Sequence, residues 1–497
     1  DLTMRRRLTE TGPRQKSSES DSARLVLGLN GMLSDWEWEL AYTYSYNRNH
    51  EYGEQGFVWT PRLQEAINAG EFNPLATTQQ GDVIDDISVS TTRNGKSTTN
   101  AFDGKIAGDL FDMPAGSVAM AVGFEYREEE LSDNPDELFK RGEIFGTEAT
   151  EAYGERDQTS LFIELAVPVF EKLEAQLALR YEDYSDFGDT TNPKIALRYT
   201  PLDNLTFRAS WGEAFRAPSL VQLGLGPSQE SPGLVDAVRC PLTGLEEDCT
   251  AQERTVIFSG NPDLQPEEST SYNFGGIWEI TDGLSVGVDY WNYDQEGLIT
   301  SDTQYLVNTQ GDDPSVVKRE PTDANGVPGR IIEIYDQFAN LGSQTTDGVD
   351  LDVQYTMNTQ SAGEFGFNYN LTWVNSFDQV REDGSTRELA GEYQHPEYRW
   401  TGGMDWGYTN WQTSARLNYI GEYQDNIDAG ATGTIDSMMT LDLNVTYIGF
   451  DHWSLTLGAN NVLNEEPSFS AADFMGYDQA THSAIGALWY GKVSYQF

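Results

Sequence analysis

Ile485-Gly486-Ala487-Leu488-Trp489-Tyr490-Gly491-Lys492-Val493-Ser494-Tyr495-Gln496-Phe497 is the stretch whose reading decides the fold. Taken at every second residue, Ile485, Ala487, Trp489, Val493, Tyr495 and Phe497 share one side, with Gly491 as the gap. Gly486, Tyr490, Lys492, Ser494 and Gln496 share the other. Side chains alternate between the two faces of a strand, so one face here is greasy and the other mostly polar. That pattern suits a strand set between lipid and a wet lumen, and equally a half-buried strand of a soluble sandwich. The rest of the chain separates the two.

The same alternation recurs along the whole length. Trp36, Trp38, Leu40, Tyr42, Tyr44 and Tyr46 alternate with Glu37, Glu39, Ala41, Thr43 and Ser45. Val118 to Tyr126, Leu173 to Tyr181, Val349 to Met357, Phe365 to Trp373 and Leu441 to Tyr447 read likewise. A sustained period of two predicts an all-β chain. We read about eighteen strands, near 2–10, 24–32, 36–46, 98–111, 117–127, 159–168, 172–181, 192–200, 204–212, 269–280, 284–294, 345–358, 364–374, 397–406, 411–420, 436–448, 453–462 and 484–497.

Tight turns built on Gly, Pro, Asn and Asp are predicted at 113–117, 169–172, 201–204, 281–283, 360–364, 407–410 and 449–452. Longer connections, about 47–95, 128–158, 212–268, 296–345, 375–396, 421–435 and 464–483, alternate with them. Alternating short and long links put the short ones together at one end. Outer-membrane barrels, with short periplasmic turns and long external loops, do this, and a sandwich has no reason to. Helical periodicity appears only around Pro61 to Ala69, inside a long connection.

Composition agrees. Among 497 residues, 38% are hydrophobic and the mean hydropathy is -0.53, so no segment approaches the ~18 apolar residues of a membrane helix. A barrel strand needs only about 9–11 residues, half of them apolar. Aromatic residues make up 12%, as interfacial girdles require. The net charge of -49 repels phosphates and excludes nucleic acid as a partner. Most of that charge is expected to keep loops solvated, with a divalent cation as the one ligand it would suit; no cofactor is otherwise expected. Cys240 and Cys249 lie nine residues apart in a loop with Pro241 and Gly244. They can close a small disulfide ring, implying an oxidising compartment, or form half of a metal site. The opening Asp1-Leu2-Thr3-Met4-Arg5-Arg6-Arg7 has no apolar secretion core, as expected of a mature or truncated exported chain.

Catalytic signatures are missing. The four histidines, His50, His395, His452 and His482, are far apart, in loops or turns, without metal-site spacing. There is no phosphate-binding loop, dinucleotide fingerprint or Gly-x-Ser-x-Gly elbow. The expectation is a protein that is not an enzyme, with a barrel lipase, protease or adhesin as the distant alternative.

Four motifs follow one another in order. They are Phe215-Arg-Ala-Pro-Ser-Leu220, Gly260-Asn-Pro-Asp-Leu-Gln-Pro-Glu-Glu-Ser269, Asn340-Leu-Gly-Ser with Thr346-Asp-Gly-Val-Asp-Leu351, and Leu457-Gly-Ala-Asn-Asn-Val-Leu-Asn464. With the strand rhythm and the terminal Phe497, they resemble the barrel of a TonB-dependent outer-membrane receptor. The resemblance covers the chain, most sharply 205–497. It implies a transmembrane antiparallel barrel, of 22 strands in the family, with an N-terminal plug. No plug and no TonB box are found, and about four strands are short of the family number. Residues 1–497 then read as the barrel part alone, lacking the plug and the first strands, with an eighteen-stranded passive porin as the rival.

Each motif also has an architectural reading: Pro218, Pro262 and Pro266 mark ladder ends, Gly348 a close backbone approach, Asn460, Asn461 and Asn464 strand-end contacts. The resemblance further implies active import of a scarce ligand such as a siderophore, metal chelate or oligosaccharide. Its implied partners are the inner-membrane TonB complex acting through a plug, outer-membrane lipid, and the barrel assembly machinery. The last would act at the terminal strand with Trp489, Val493, Tyr495 and Phe497, whose end would be periplasmic. Capture candidates are the loop aromatics Phe57, Trp59, Tyr305, Tyr335, Phe338, Tyr393, Tyr423, Phe469 and Phe474, whose rings stack on sugars or flat chelators. Acidic loops make an anionic ligand the less natural cargo.

Overall fold

The computed structural model describes residues 6–76, 78, 79, 82–426, 431–470, 473 and 475–497. One sheet of eighteen strands dominates it, one of them the three-residue segment Thr386–Glu388. The others, in chain order, are β1 (Gln15–Leu33), β2 (Trp36–Val58), β3 (Ser88–Met113), β4 (Gly116–Pro135), β5 (Ala152–Phe170), β6 (Leu173–Tyr184), β7 (Gly188–Leu202), β8 (Leu205–Arg216), β9 (Glu267–Thr281), β10 (Leu284–Glu296), β11 (Ser343–Thr359), β12 (Gly363–Val380), β13 (Tyr398–Tyr408), β14 (Trp411–Ile420), β15 (Met438–Phe450), β16 (Trp453–Asn460) and β17 (Leu488–Tyr495). Each pairs antiparallel with the strand before and after it, an unbroken meander. Among the described residues β1 pairs only with β2, and β17 only with β16.

The register carries one apolar face around the sheet. Leu40 lies beside Leu29 and Gly104, Phe124 beside Gly104 and Leu161, and Tyr181 beside Leu161. Leu197, Ala209, Phe274, Tyr290, Val349 and Trp373 continue the band. Many of these side chains are large and exposed, Leu29 at 69% and Phe274 at 62%, as a face against hydrocarbon must be, while Leu40, Ala209, Val349 and Trp373 are half-buried among them. The opposite face carries ion pairs between neighbouring strands, Lys105–Glu39 at 3.0 Å and Arg198–Glu174 at 2.7 Å, and one that reaches over β9, Arg208–Asp289. Polar groups on the wet side need not be desolvated, so long charged side chains cost little there.

Near the tight turns the apolar face turns aromatic. Trp411 meets Tyr447 at 4.8 Å between ring centroids, Tyr447 meets Phe450 at 5.0 Å, and Trp453 meets Tyr495 at 4.7 Å. Rings with an apolar body and a polar edge gather where hydrocarbon gives way to headgroups.

All seven predicted tight turns are present, and Ser34-Asp35 between β1 and β2 is another at the same end. Glycine supplies the left-handed residue at Gly283 (φ 81°), where a Cβ would stand 2.4 Å from the Thr356 carbonyl oxygen. At Ser34, Thr409 and His452 a non-glycine residue takes the left-handed conformation instead.

Three expectations are corrected. Of the strand expected at 2–10, residues 2–5 lie outside the described residues, and 6–10 form no ladder: Thr9–Thr11 is a single helical turn. Segments expected to be loop, at 47–58 and 88–95, belong to β2 and β3, the latter 26 residues long. At ~3.3 Å per residue β3 spans roughly 85 Å, far more than lipid requires. Its upper half, 88–100, is polar at both parities except for Val89, which packs on Phe57, Phe139 and Ile144, so it shows no apolar alternation to read. Finally, the links at the far end are not all long. β6 and β7 join through Ser185, Asp186 and Phe187 alone.

The assignment of faces predicts an asymmetry. Leu179→Arg, on the lipid side, should cost about 2–4 kcal/mol of folding into bilayers. Ala178→Arg, its neighbour on the wet side beside Lys194 and Glu164, should cost under about 1 kcal/mol. Reversible denaturant titration in lipid vesicles measures both.

Candidate functional site

The long connections between β2 and β3, β4 and β5, β8 and β9, β10 and β11, β12 and β13, β14 and β15, and β16 and β17 all lie at one end of the meander. They are not loose. The two longest, 217–266 and 297–342, fold together. Ser228–Glu230, Val256–Ser259, Ile331–Gln337 and Val317–Arg319 make a four-stranded sheet, with Val256–Ser259 parallel to Ile331–Gln337. Leu234, Val256, Val307, Val317, Ile331 and Ile334 form its buried core. Each such side chain contributes roughly 1.5–3 kcal/mol on burial, enough to order a loop pair.

Around this core two buried carboxylates are matched by arginines. Both Asp236 oxygens accept from Arg319, at 2.8 and 2.9 Å, and Asp248 accepts from Arg239 at 3.0 Å. Burial opposes the Asp248 charge, but Arg239 and Thr243 outweigh it and hold the carboxyl below its usual range. Cys240 and Cys249 are joined as a disulfide that closes this segment.

The family motifs bind these loops to the strand ends. Asn340 and Gln265 bond reciprocally: the Gln265 amide donates to Asn340 Oδ1 at 2.9 Å, and Asn340 Nδ2 donates to the Gln265 carbonyl at 2.8 Å. Asn340 Nδ2 also reaches the Gly297 carbonyl at 2.9 Å. Asn261 Nδ2 donates to the Phe338 carbonyl at 2.8 Å. Residues from two separate motifs therefore clamp both long loops where they leave the barrel.

Phe215 packs edge-on against Tyr184 and Phe187. Pro218 is fully buried, and its carbonyl accepts from the equally buried Arg156. Ser219 and Gln222 form a capping box on the short helix Leu220–Gly224, which lies over β5. A Cβ on Gly348 would stand 2.4 Å from the Trp291 ring and the Trp373 carbonyl, so this position admits only glycine without a shift. Asn461 and Asn464 are left-handed, and Asn464 Oδ1 accepts from the Ala487 amide at 3.0 Å, tying β16 to the approach to β17.

The loops 381–397, 421–437 and 461–487 meet in a second cluster. The Tyr423 hydroxyl donates to Asp478 Oδ2 at 2.7 Å, Gln394 Nε2 donates to Asp478 Oδ1 at 3.3 Å, and the Tyr393 hydroxyl donates to Asp473 at 3.1 Å. Ser470 donates to Asp425 at 2.7 Å. His482 lies stacked on Tyr423, their planes 6° apart. Burial works against the Asp478 charge, but Tyr423 and its other donors prevail and keep its pKa low. The Tyr393 phenol is pushed up to about 12 by burial and by Asp473, and burial and Asp478 raise Tyr423 further.

The proposed capture aromatics are therefore scattered in environment. Phe57 is not on a loop: it ends β2 and is buried against Phe139. Tyr423 is buried in the second cluster, and Tyr393 half-buried beside it. Trp59 donates to Glu143 at 3.0 Å, Phe338 packs on Phe258, and Tyr305 sits half-buried in the helix Thr303–Gln310. Tyr335, at 42%, and Phe469, at 77%, are exposed. Phe474 lies outside the described residues. In the terminal strand Trp489, Val493 and Tyr495 face the apolar side, and Phe497 follows the strand.

His50 lies within β2, not in a loop. His395 and His482, 87 positions apart in the chain, both come within electrostatic reach of Asp478. Sequence reasoning had no signal for that convergence. Among the described residues no group of three or more His, Cys, Asp or Glu is placed to hold a metal ion.

Residues 3–462 match the family described as TonB dependent receptor-like, beta-barrel. The chain belongs to that family. The ferric enterobactin receptor of Pseudomonas aeruginosa is 21% identical over 397 residues, covering 76% of this chain and 48% of that protein. The vitamin B12 transporter BtuB of Vibrio cholerae is 22% identical over 348 residues, covering 69% and 43%. The crystal structure of the siderophore receptor PirA from Acinetobacter baumannii superposes with a TM-score of 0.65 at 17% identity, over 97% of this chain and 63% of that one. At that identity the likeness is one of fold. The chain spans about half the length of the curated relatives it matches. Its relatives are transport receptors of the outer membrane.

Two outcomes follow for this TonB-dependent receptor barrel. Asn340→Ala removes three hydrogen bonds at the loop bases and should destabilise the 297–342 loop by about 1–3 kcal/mol, read as faster limited proteolysis there with the barrel intact. Replacing Cys240 and Cys249 together by Ser should cost the loop pair about 2–3 kcal/mol, read by hydrogen exchange at 234–256.

Proposed function

We propose that this chain forms the wall and external loops of a TonB-dependent receptor that imports a scarce ligand across the outer membrane. The observation that carries the reading is a family match spanning 3–462 on a meander whose long links all rise from one end. On this reading the tight turns and the end of β17 face the periplasm, and the loops face outward. The unpartnered edges of β1 and β17, with the half-length coverage of relatives, support a barrel completed by further strands and a plug from the same protein. The plug would take the pull of the TonB complex. The terminal strand, with Trp489, Val493, Tyr495 and Phe497, would be read by the assembly machinery. The chain would do no catalysis of its own.

For the cargo, the field of the mouth argues against a strongly anionic ligand. The 461–487 loop holds Glu465, Glu466, Asp473 and Asp478 and no Lys or Arg, and 421–437 holds Glu422, Asp425, Asp428 and Asp436 and no Lys or Arg. Like charge lowers the rate of encounter and opposite charge raises it. A neutral or cationic chelate or oligosaccharide fits best, with Tyr335 and Phe469 as the rings free to stack on it.

Cells carrying the full-length protein decide the matter. Uptake of the ligand should collapse when a protonophore dissipates the proton gradient or when TonB is absent. Uptake that persists under both treatments would mean passive diffusion through a porin.

A further inference from the structure

His482 is only 6% exposed, and neither ring nitrogen has a hydrogen-bond partner. A buried imidazole without a partner is costly and asks for an explanation. Its surroundings are polar and specific. From its own loop, Asp478 is fully buried and accepts from the Ala480 amide at 3.0 Å. Tyr423, from the 421–437 loop, stacks on the imidazole and donates to the same carboxylate. Gln394, from the 381–397 loop, donates to its other oxygen. The Gln424 amide donates to the Gly391 carbonyl at 2.8 Å, adding a backbone link between two of the loops.

The charged groups facing this point are Asp478 from the loop itself and Arg399 from the start of β13. His395, with Arg387 and Arg399 near it, faces Asp478 from the 381–397 side. Tyr393 and Asp473 close the remaining side. Within 421–437 and 461–487, His482 is the one side chain that can gain a positive charge near neutral pH, since these loops contain no Lys, Arg or other His.

We propose that His482 is an acid-operated latch: neutral, it lets segments 391–397, 423–426 and 475–487 pack against one another at the loop end of the sheet, and protonated, it releases them. The inference rests on the loop geometry and not on the identity of the cargo. The sign follows from the cluster. A solvated histidine titrates near pH ~6.5. In the packed loops burial, the largest influence, and Arg399 push His482 below that value, while Asp478 pulls it back only in part. The packed arrangement thus holds the proton less tightly than the released one. Its stability is complete above about pH 6.5 and declines as the pH falls below it. His395 is also depressed by burial and by Arg387, but it packs edge-on against Phe377 at the side of the cluster rather than between the loops.

Hydrogen exchange on the whole protein in lipid vesicles tests this, with rates corrected for the intrinsic effect of pH. Between pH about 7.5 and about 5, segments 391–397, 423–426 and 475–487 should exchange about tenfold faster, while the barrel strands hold. His482→Phe keeps a ring on Tyr423 and cannot titrate; it should abolish the change. His395→Gln should leave it in place. Wild-type loops that exchange alike at both pH values would overturn the latch. So would a response that survives in His482→Phe or disappears in His395→Gln. Should His482→Phe fail to fold, His482→Gln takes its place. If neither folds, the wild-type midpoint decides: one between pH about 5 and 6.5 supports the latch and its absence removes it.

Discussion

Inside hydrocarbon a backbone N–H or C=O has no water to bond, so every strand must find its partners in other strands. That requirement governs this molecule. It explains a meander in which each strand pairs with its sequence neighbours, and the tight turns, since two-residue links keep adjacent ladders in register from their first pair. It also bears on β1 and β17, each of which has one ladder among the described residues. An unpaired edge of this length is a template for another strand, and a closed barrel is the arrangement that removes it.

Once past the lipid the constraint relaxes, and the architecture changes character. The strands run on into water, and the loops above them fold as small proteins do, with a buried apolar core, a parallel strand pair, a disulfide and paired carboxylates. Fastening these loops to the wall falls to the residues that resemble family motifs. Asn340 and Gln265, from two motifs 75 positions apart, exchange hydrogen bonds. Gly348 makes room for Trp291, and Asn464 meets the approach to β17.

The charge of the chain does not divide along the same line. On the wet face of the wall arginines and lysines meet acids on the next strand, as Lys105 meets Glu39, or on the next but one, as Arg208 meets Asp289. In the last two long loops acids stand without basic residues. The wall is acidic as well: β9 to β12 carry Glu267, Glu268, Glu279, Asp289, Asp294, Glu296, Asp347, Asp350, Asp352, Glu364 and Asp378 and no Lys or Arg, so wall and loops contribute a field of the same sign.

The amino-acid sequence by itself determined the strand class, the face of the residues in the alternating stretches and seven of the tight turns, because side-chain period and turn chemistry are local properties read over a few residues. It missed the upper halves of β2 and β3 for a physical reason: 47–56 and 90–100 carry polar residues and glycines at both parities with the single aromatic Tyr52, so no alternation is written there. It placed Phe57 on a loop and Tyr423 at a ligand surface, although both are buried. It saw His395 and His482 as unrelated residues, although the fold sets both near Asp478. Which loop aromatics are exposed, which polar groups meet, and which histidine is left without a partner depend on how three or more distant loops stack. Only the tertiary structure decided those, since the energies involved belong to contacts between segments and leave no periodic trace within any one of them.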